Sequence, residues 1–272
     1  MLMPFFGFEI EPLGAQPLFN IGPLTITNTI LTGLLVGALL VIVLGGAARA
    51  SQIWPKSKLA FYVESMVELV LGLVTELFGD REAAMRYFPF LLTLFVFILA
   101  CNLTGVLPGI ETITLNHGGA PTSLFRAWTT DLNSTAALAV LTMITVQVHA
   151  VRSIGAKGYF QHYFTHQPWK PLNLFIGVND VFGELMRLVT LTLRLFGVIY
   201  GGEALLFAMG SLAGNFGWLT MFPIVFLEIF FCFVQAYLFM MLSASYLVMS
   251  TSMHEQETTE ETRHMTAGTA KA

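Results

Sequence analysis

Charge is scarce in this chain. Only 11% of its 272 residues are charged against 55% that are hydrophobic, and the mean hydropathy is +0.72. That balance excludes an ordinary soluble domain, and several apolar runs approach the ~20 residues that cross a bilayer. The chain therefore reads as an integral membrane protein. Cysteine is nearly missing too: Cys101 and Cys232 both fall inside apolar runs, which excludes a disulfide framework or a metal-ligand spacing and leaves two small buried side chains. No nucleophile constellation, Gly-rich phosphate loop or metal cluster is present. Neither covalent chemistry, a cofactor nor a nucleic-acid partner is expected. No internal repeat stands out, which leaves an inverted-repeat transporter little support. The start lacks a basic region and its first apolar run is too long for a signal-peptide core, so the first span is expected to stay in the mature protein.

What is present divides into five spans. Residues 1–23 carry Pro4, Pro12, Pro17 and Pro23, with Glu9 and Glu11 as their charges, and read as an irregular outer arm. Leu24–Leu44 is a spanning helix followed by Arg49, Lys56 and Lys58. From Leu59 to Phe78, Glu64, Glu68 and Glu76 interrupt the apolar residues, as in an amphipathic helix lying along the interface. Phe88–Leu107 returns outward, Gly109–Asp131 is an outer loop rich in Gly, Pro and Thr, and Ser134–Val151 crosses back to Arg152 and Lys157.

Two long helices, Leu172–Ala213 and Leu219–Met253, close a membrane domain of residues 24–253. At 1.5 Å per residue each is about 50–60 Å, beyond a ~30 Å hydrocarbon core, so both must be strongly tilted or bent. The remaining 254–272 reads as a disordered cytoplasmic tail. This topology puts ten of the thirteen Lys and Arg on the inner side and only Arg126 outside, which orients the N-terminus out and the C-terminus in. The expected fold is all-α: five membrane-embedded helices plus one interfacial helix.

The polar residues inside these spans are the candidates for function. Arg194 sits in Val189-Thr-Leu-Thr-Leu-Arg-Leu-Phe-Gly-Val198 with no acidic neighbour. An arginine at membrane depth costs roughly 2.5–3.5 kcal/mol and keeps its proton, so it persists where its charge is used or paired. At 100° per residue Gly183, Arg187, Thr190, Arg194, Gly197 and Gly201 project within about 60° of one direction. Such a stripe of cations and small residues lets another helix, including one of another subunit, approach closely. Equally, its glycines can serve packing within the chain, with Arg187 snorkelling or pairing to Glu184. Glu203, nine residues past Arg194, projects from the opposite face, so no direct ion pair between them is expected.

Glu228, Gln235 and Tyr246 fall on one line of the last helix and form a polar seam. Desolvation disfavours an ionised carboxylate. Glu203 and Glu228 are thus candidates for loading and releasing protons, or for structural hydrogen bonds between helices. Asp180 and Glu184, one turn apart nearer the inner end, suit either a solvated helix start or an exit path. His149, His162, His166 and His254 fall near the inner face and read as solvated.

The string Leu191-Thr-Leu-Arg-Leu-Phe-Gly-Val-Ile-Tyr-Gly-Gly-Glu203, then Glu228, then Gln235-Ala-Tyr-Leu-Phe-Met-Met-Leu-Ser-Ala-Ser-Tyr-Leu247 resembles subunit a of the rotary F-type ATP synthase. The resemblance is close in the last hundred residues. Asn102, the span order and the interfacial helix extend it over most of the chain. It implies a proton-conducting stator subunit whose two long helices face a rotating c-subunit ring, with peripheral-stalk b subunits and the rest of the synthase as partners. It further implies that Arg194 meets the ring carboxylates and separates two offset half-channels. Glu203, Glu228 and Gln235 would line the outer one or support the arginine, with Tyr246 further along. Glu203 and Glu228, both acidic here, could share a proton.

Two positions depart from the family's usual pattern. Val198 stands four residues after the arginine in place of an asparagine, and Gly105 stands three after Asn102 in place of an acidic residue. The competing class is an ion-translocating subunit or secondary transporter of another complex using Arg194 and the glutamates as its own relay; a membrane scaffold is the third reading. A bacterial plasma membrane is the expected location, with an organelle inner membrane as the alternative. H⁺ and Na⁺ are not distinguished, because the ring supplies the ion-binding site.

Overall fold

A computed structural model describes residues 15–21, 24–50, 58–107, 113–117, 120–154, 171–213 and 217–269. Among them are six α-helices: α1 Asn28–Ala50, α2 Lys58–Phe78, α3 Arg81–Val106, α4 Leu132–Ile154, α5 Pro171–Ala213 and α6 Gly217–Thr269. Five of these contain a stretch long and apolar enough to cross a membrane: Asn28–Arg49, Arg81–Val106, Leu132–Arg152, Gly177–Gly210 and Leu219–Met249. The chain is an all-α integral membrane protein. The exception is α2, whose apolar residues gather on one side with Val70 and Val74 buried while Glu64, Glu68 and Glu76 are exposed.

The helices run through two compact units. One is made of the described parts of Met1–Ala60, Val96–Thr135 and Leu193–Ala236. Here the sequence reading needs correction, because β1 (Pro17–Ile21) and β2 (Leu24–Thr27) form an antiparallel hairpin and α1 begins at Asn28 rather than at Leu24. Thr25, Ile26 and Thr27 favour a strand, and the Thr27 hydroxyl then accepts the Ile30 N–H at 3.4 Å as a helix cap. Asn28 is fully buried; its Oδ1 accepts from the N–H groups of Gln16 and Thr29, and its Nδ2 donates to the Ser123 carbonyl at 3.3 Å.

The segment expected to be a plain loop holds a second hairpin, β3 (Thr114–His117) with β4 (Ala120–Ser123), and a 3₁₀ turn at Trp128–Thr130. Two glycines admit this segment. Trp128 occupies the space that a Cβ on Gly33 would need, and a Cβ on Gly105 would come within 2.6 Å of the Ala127 Cβ.

The other unit takes the described parts of Phe61–Phe95, Ala136–Thr192 and Tyr237–Ala272. Gly79, with φ +70°, ends α2 in the left-handed conformation, and the Asp80 carboxylate accepts the N–H groups of Glu82 and Ala83 at the start of α3. Tyr87 stacks on Phe78 at 5.4 Å and stands edge-on to His149 at 5.0 Å, so His149 is half-buried against a ring rather than solvated. Leu91, Leu191, Phe239, Met240 and Leu247 are among this unit's fully buried side chains.

At 43 and 53 residues, α5 and α6 reach about 65 and 80 Å. α6 continues to Thr269, past Met253, where the sequence reading places a disordered tail from His254. Glu255, Gln256, Glu257, Glu260, Glu261 and Arg263 are ordinary helix formers, and neither Pro nor Gly intervenes before Gly268. Polarity argues against a buried core there, yet it does not break a helix. Residues 1–14 of the expected arm, His162 and His166 lie outside the described residues, as do the side chains of Asp180 and His254.

Candidate functional site

α5 separates its charges by face. Leu191, Leu195 and Ile199 recur at four-residue spacing and are buried, whereas Thr190, Gly197 and Gly201 are exposed and Gly183, Arg187 and Arg194 are half-buried. A Cβ at Gly183, Gly197 or Gly201 would meet nothing within 4 Å. The glycines of the stripe thus lie where the described residues leave α5 uncovered, while Arg187 between them meets Tyr246 and Met249. Arg194 makes no ion pair or side-chain hydrogen bond among the described residues. Glu203 projects from the opposite, buried side, as the nine-residue spacing requires.

Around that buried side, the first unit collects polar groups in an apolar setting. Val106 of α3, Ala127, Ile199 of α5 and Cys232 of α6 form one buried cluster, with Leu103, Val198 and Val225 against it. Asn102 is one turn before Val106, Arg126 adjoins Ala127, and Glu203 is one turn after Ile199. Glu228 and Gln235 bracket Cys232 by four and three residues. The cluster therefore draws five polar side chains from three helices and a loop to one neighbourhood.

Four of these side chains, and Thr129 beside them in the loop, keep unpaired atoms. Both polar atoms of Asn102, Thr129 Oγ1, Glu203 Oε1, Glu228 Oε2 and Gln235 Nε2 are buried without a hydrogen-bond partner among the described residues. Buried polar atoms are nearly always paired, and an unpaired one costs roughly 1–3 kcal/mol. Their one ionic contact among the described residues joins Arg126 Nη2 to Glu203 Oε2 at 3.0 Å, with side chains 8% and 16% exposed. Sequence reasoning misses this pair, because Arg126 reads there as the lone cation of a solvated loop. A pairing across 77 residues leaves no local signal.

Glu228, 4% exposed, sets its Oε1 against Gly202, where a Cβ would come within 2.6 Å. It also lines a cleft of about 200 Å³ with Val198, Gly201, Gly202, Leu227 and Phe231. Gly201, which shares a helical face with Arg194, lines the same cleft as Glu228.

The second unit holds the rest. The Arg187 guanidinium lies 4.9 Å from the Tyr246 ring centroid and donates to Met249 Sδ at 3.6 Å. Tyr246 is thus engaged by a cation here, while Glu228 and Gln235 of the same seam belong to the first unit. Glu184 is half-buried and Thr190 turns its hydroxyl back to the Met186 carbonyl at 2.7 Å. No group of three or more His, Cys, Asp or Glu among the described residues is arranged to hold a metal.

Residues 29–248 match the family model described as the ATP synthase A chain. The chain belongs to that family. It is 32% identical to ATP synthase subunit a of Moorella thermoacetica over 234 residues, 85% of this chain and 93% of that protein. Likewise it is 32% identical to ATP synthase subunit a 2 of a Bradyrhizobium strain over 239 residues, 88% and 95% of the two chains. Identity to the Legionella pneumophila (strain Paris) subunit a is 29% over 237 residues, 87% and 92%.

Within this member of the ATP synthase A chain family, the two departures noted from sequence have a local physical cause. Val198 packs on the apolar cluster, where an asparagine would add another buried amide, and Gly105 is the seat of Ala127. An acidic residue at 105 would collide with the loop that delivers Arg126.

Proposed function

We infer that this chain is the proton-translocating stator subunit of a bacterial F-type ATP synthase, a non-catalytic member of that complex in the plasma membrane. Its glycine and arginine stripe docks on the c-subunit ring, and peripheral-stalk b subunits hold it against rotation. The observation that carries this reading is the position of Arg194: a cation without an ionic partner among the described residues, on an uncovered face of α5, while the carboxylates Glu203 and Glu228 lie on the buried side. A charge so placed is available to a partner that passes by.

The mechanism follows from electrostatics. A ring carboxylate arriving next to Arg194 is stabilised in its ionised form and gives up its proton, and the fixed cation bars a proton from crossing directly between the two aqueous sides. Protons then reach the ring from outside through the polar neighbourhood of Asn102, Glu203, Glu228 and Gln235, and rotation of the ring is their route to the inner side. The inner exit runs by Asp180 and Glu184, one turn apart toward the start of α5. Each proton moving through ~100 mV supplies about 2.3 kcal/mol, which the ring converts to torque.

Inverted vesicles carrying the whole complex test this. Arg194→Ala is expected to abolish ATP-driven proton pumping and proton-driven ATP synthesis while the assembled head still hydrolyses ATP. Coupled transport at near the parent rate in an assembled complex would remove the stator role and leave a scaffold or a self-contained relay.

A further inference from the structure

Arg126 is the buried charge that the mechanism above does not use. Its loop is fixed at three consecutive residues. The Arg126 N–H donates to Thr32 Oγ1 at 3.2 Å. Ala127 is seated on Gly105, and Trp128 covers Gly33 and stands edge-on to Phe97 at 5.2 Å. The guanidinium therefore issues from a backbone with little freedom before it meets Glu203 at 3.0 Å. Two charges taken out of water are tolerated only in good geometry, and a rigid mount supplies it.

The two acidic residues differ in what they touch. Glu203 gives Oε2 to a cation, while Glu228, with Oε2 unpartnered, makes no ion pair among the described residues and borders the cleft. The geometry points to Arg126 as a positioning residue of the outer proton path: it holds Glu203 as a standing counter-ion and leaves Glu228 as the carboxylate that passes the proton. This rests on the stator reading. A proton from the aqueous side forms an O–H bond on Glu228, and that bond breaks as the proton moves to the next acceptor, so Glu228 is unchanged over the cycle. Arg126 neither gains nor loses a proton.

The test uses vesicles with the complete synthase and reads ATP-driven proton pumping, complex content of the membrane and ATP hydrolysis. Removing one partner leaves a buried charge uncompensated, so Arg126→Gln is expected to lower pumping per assembled complex about tenfold or more. Removing both charges cancels that fault: Arg126→Gln/Glu203→Gln is expected to return to within about threefold of the parent. Glu228→Gln, which keeps the shape against Gly202, is expected to lose pumping about 100-fold or more in either background.

A loop anchor without a role in the path predicts that the double variant stays as impaired as Arg126→Gln, and that result overturns the proposal. So does a Glu228→Gln variant that pumps at near the parent rate, because Glu228 would then not be the carrier. If Arg194→Ala still pumps, the stator reading fails whatever the Arg126 variants do, and the two failures stay distinct.

Discussion

The two compact units treat a charge in a helical membrane protein in opposite ways. In the first, Asn102, Glu203, Glu228 and Gln235 are drawn together at an apolar cluster, each keeping at least one buried polar atom unpaired, with Arg126 as the ionic contact. In the second, Arg187 spreads its charge over the Tyr246 ring and the Met249 sulfur while staying half-buried. The cation of the second unit has an aromatic face and a sulfur as partners, whereas the polar groups of the first keep atoms unpaired among the described residues, and Glu228 borders a cleft. The stretch of α5 from Arg194 to Gly201 is a third case, since a Cβ at Gly197 or Gly201 would meet nothing within 4 Å.

The sharpest way to break this comparison after Arg194 and Glu228 is to fill that stretch. Gly197 lies one turn beyond Arg194, is exposed, and a Cβ added to it would meet nothing within 4 Å. A leucine there has room beside the chain's own helices and improves helix propensity by about 1 kcal/mol. Overpacking a tight interface costs about 1–3 kcal/mol, so Gly197→Leu is expected to reduce coupled pumping roughly 5- to 150-fold with normal amounts of the chain in the membrane. Parent-like pumping would mean that lipid rather than a second subunit covers this face.

Gly105→Ala should produce a smaller effect of a different kind. Its methyl would sit 2.6 Å from the Ala127 Cβ, so the loop must lift from α3, and the complex should lose about 1–3 kcal/mol of stability. Thermal dissociation of the solubilised complex measures that loss. Because Arg126 adjoins Ala127, pumping should fall with it, but less than in Arg126→Gln, where the charge itself is gone. An unchanged dissociation temperature would show the loop to be free to shift, and the rigid mount of Arg126 would go with it.

What can be read from the sequence follows the range of the forces involved. Run length fixes a span because a bilayer has a thickness, and helical periodicity separates Arg194 from Glu203 because nine residues make two and a half turns. Both hairpins escape such reasoning. Leu24–Thr27 continues without a break into the apolar run of α1, and only its β-branched residues and the Thr27 cap mark the change. Arg126 escapes because it pairs with a residue 77 positions away. In a solvated loop the same arginine would look no different. The helical tail after Met253 escapes for another reason, since its polarity suggests disorder although the residues themselves favour helix.

The smallest expected effect concerns Tyr246, which the sequence places on the same line as Glu228 and Gln235. An arginine over an aromatic face contributes about 0.5–1 kcal/mol where solvent reaches it. Tyr246→Phe keeps that face and should leave both thermal stability and pumping at the parent level. Tyr246→Leu removes it and should lower the dissociation temperature slightly, with no further loss when combined with Arg187→Gln, since the pair is then already broken. Pumping should change by less than about twofold in the two Tyr246 single variants, a difference worth under ~0.5 kcal/mol. If Tyr246→Phe instead cut pumping about tenfold, the phenolic hydroxyl would be part of the proton path, and the contrast between the charges of the two units would have to be redrawn through α6.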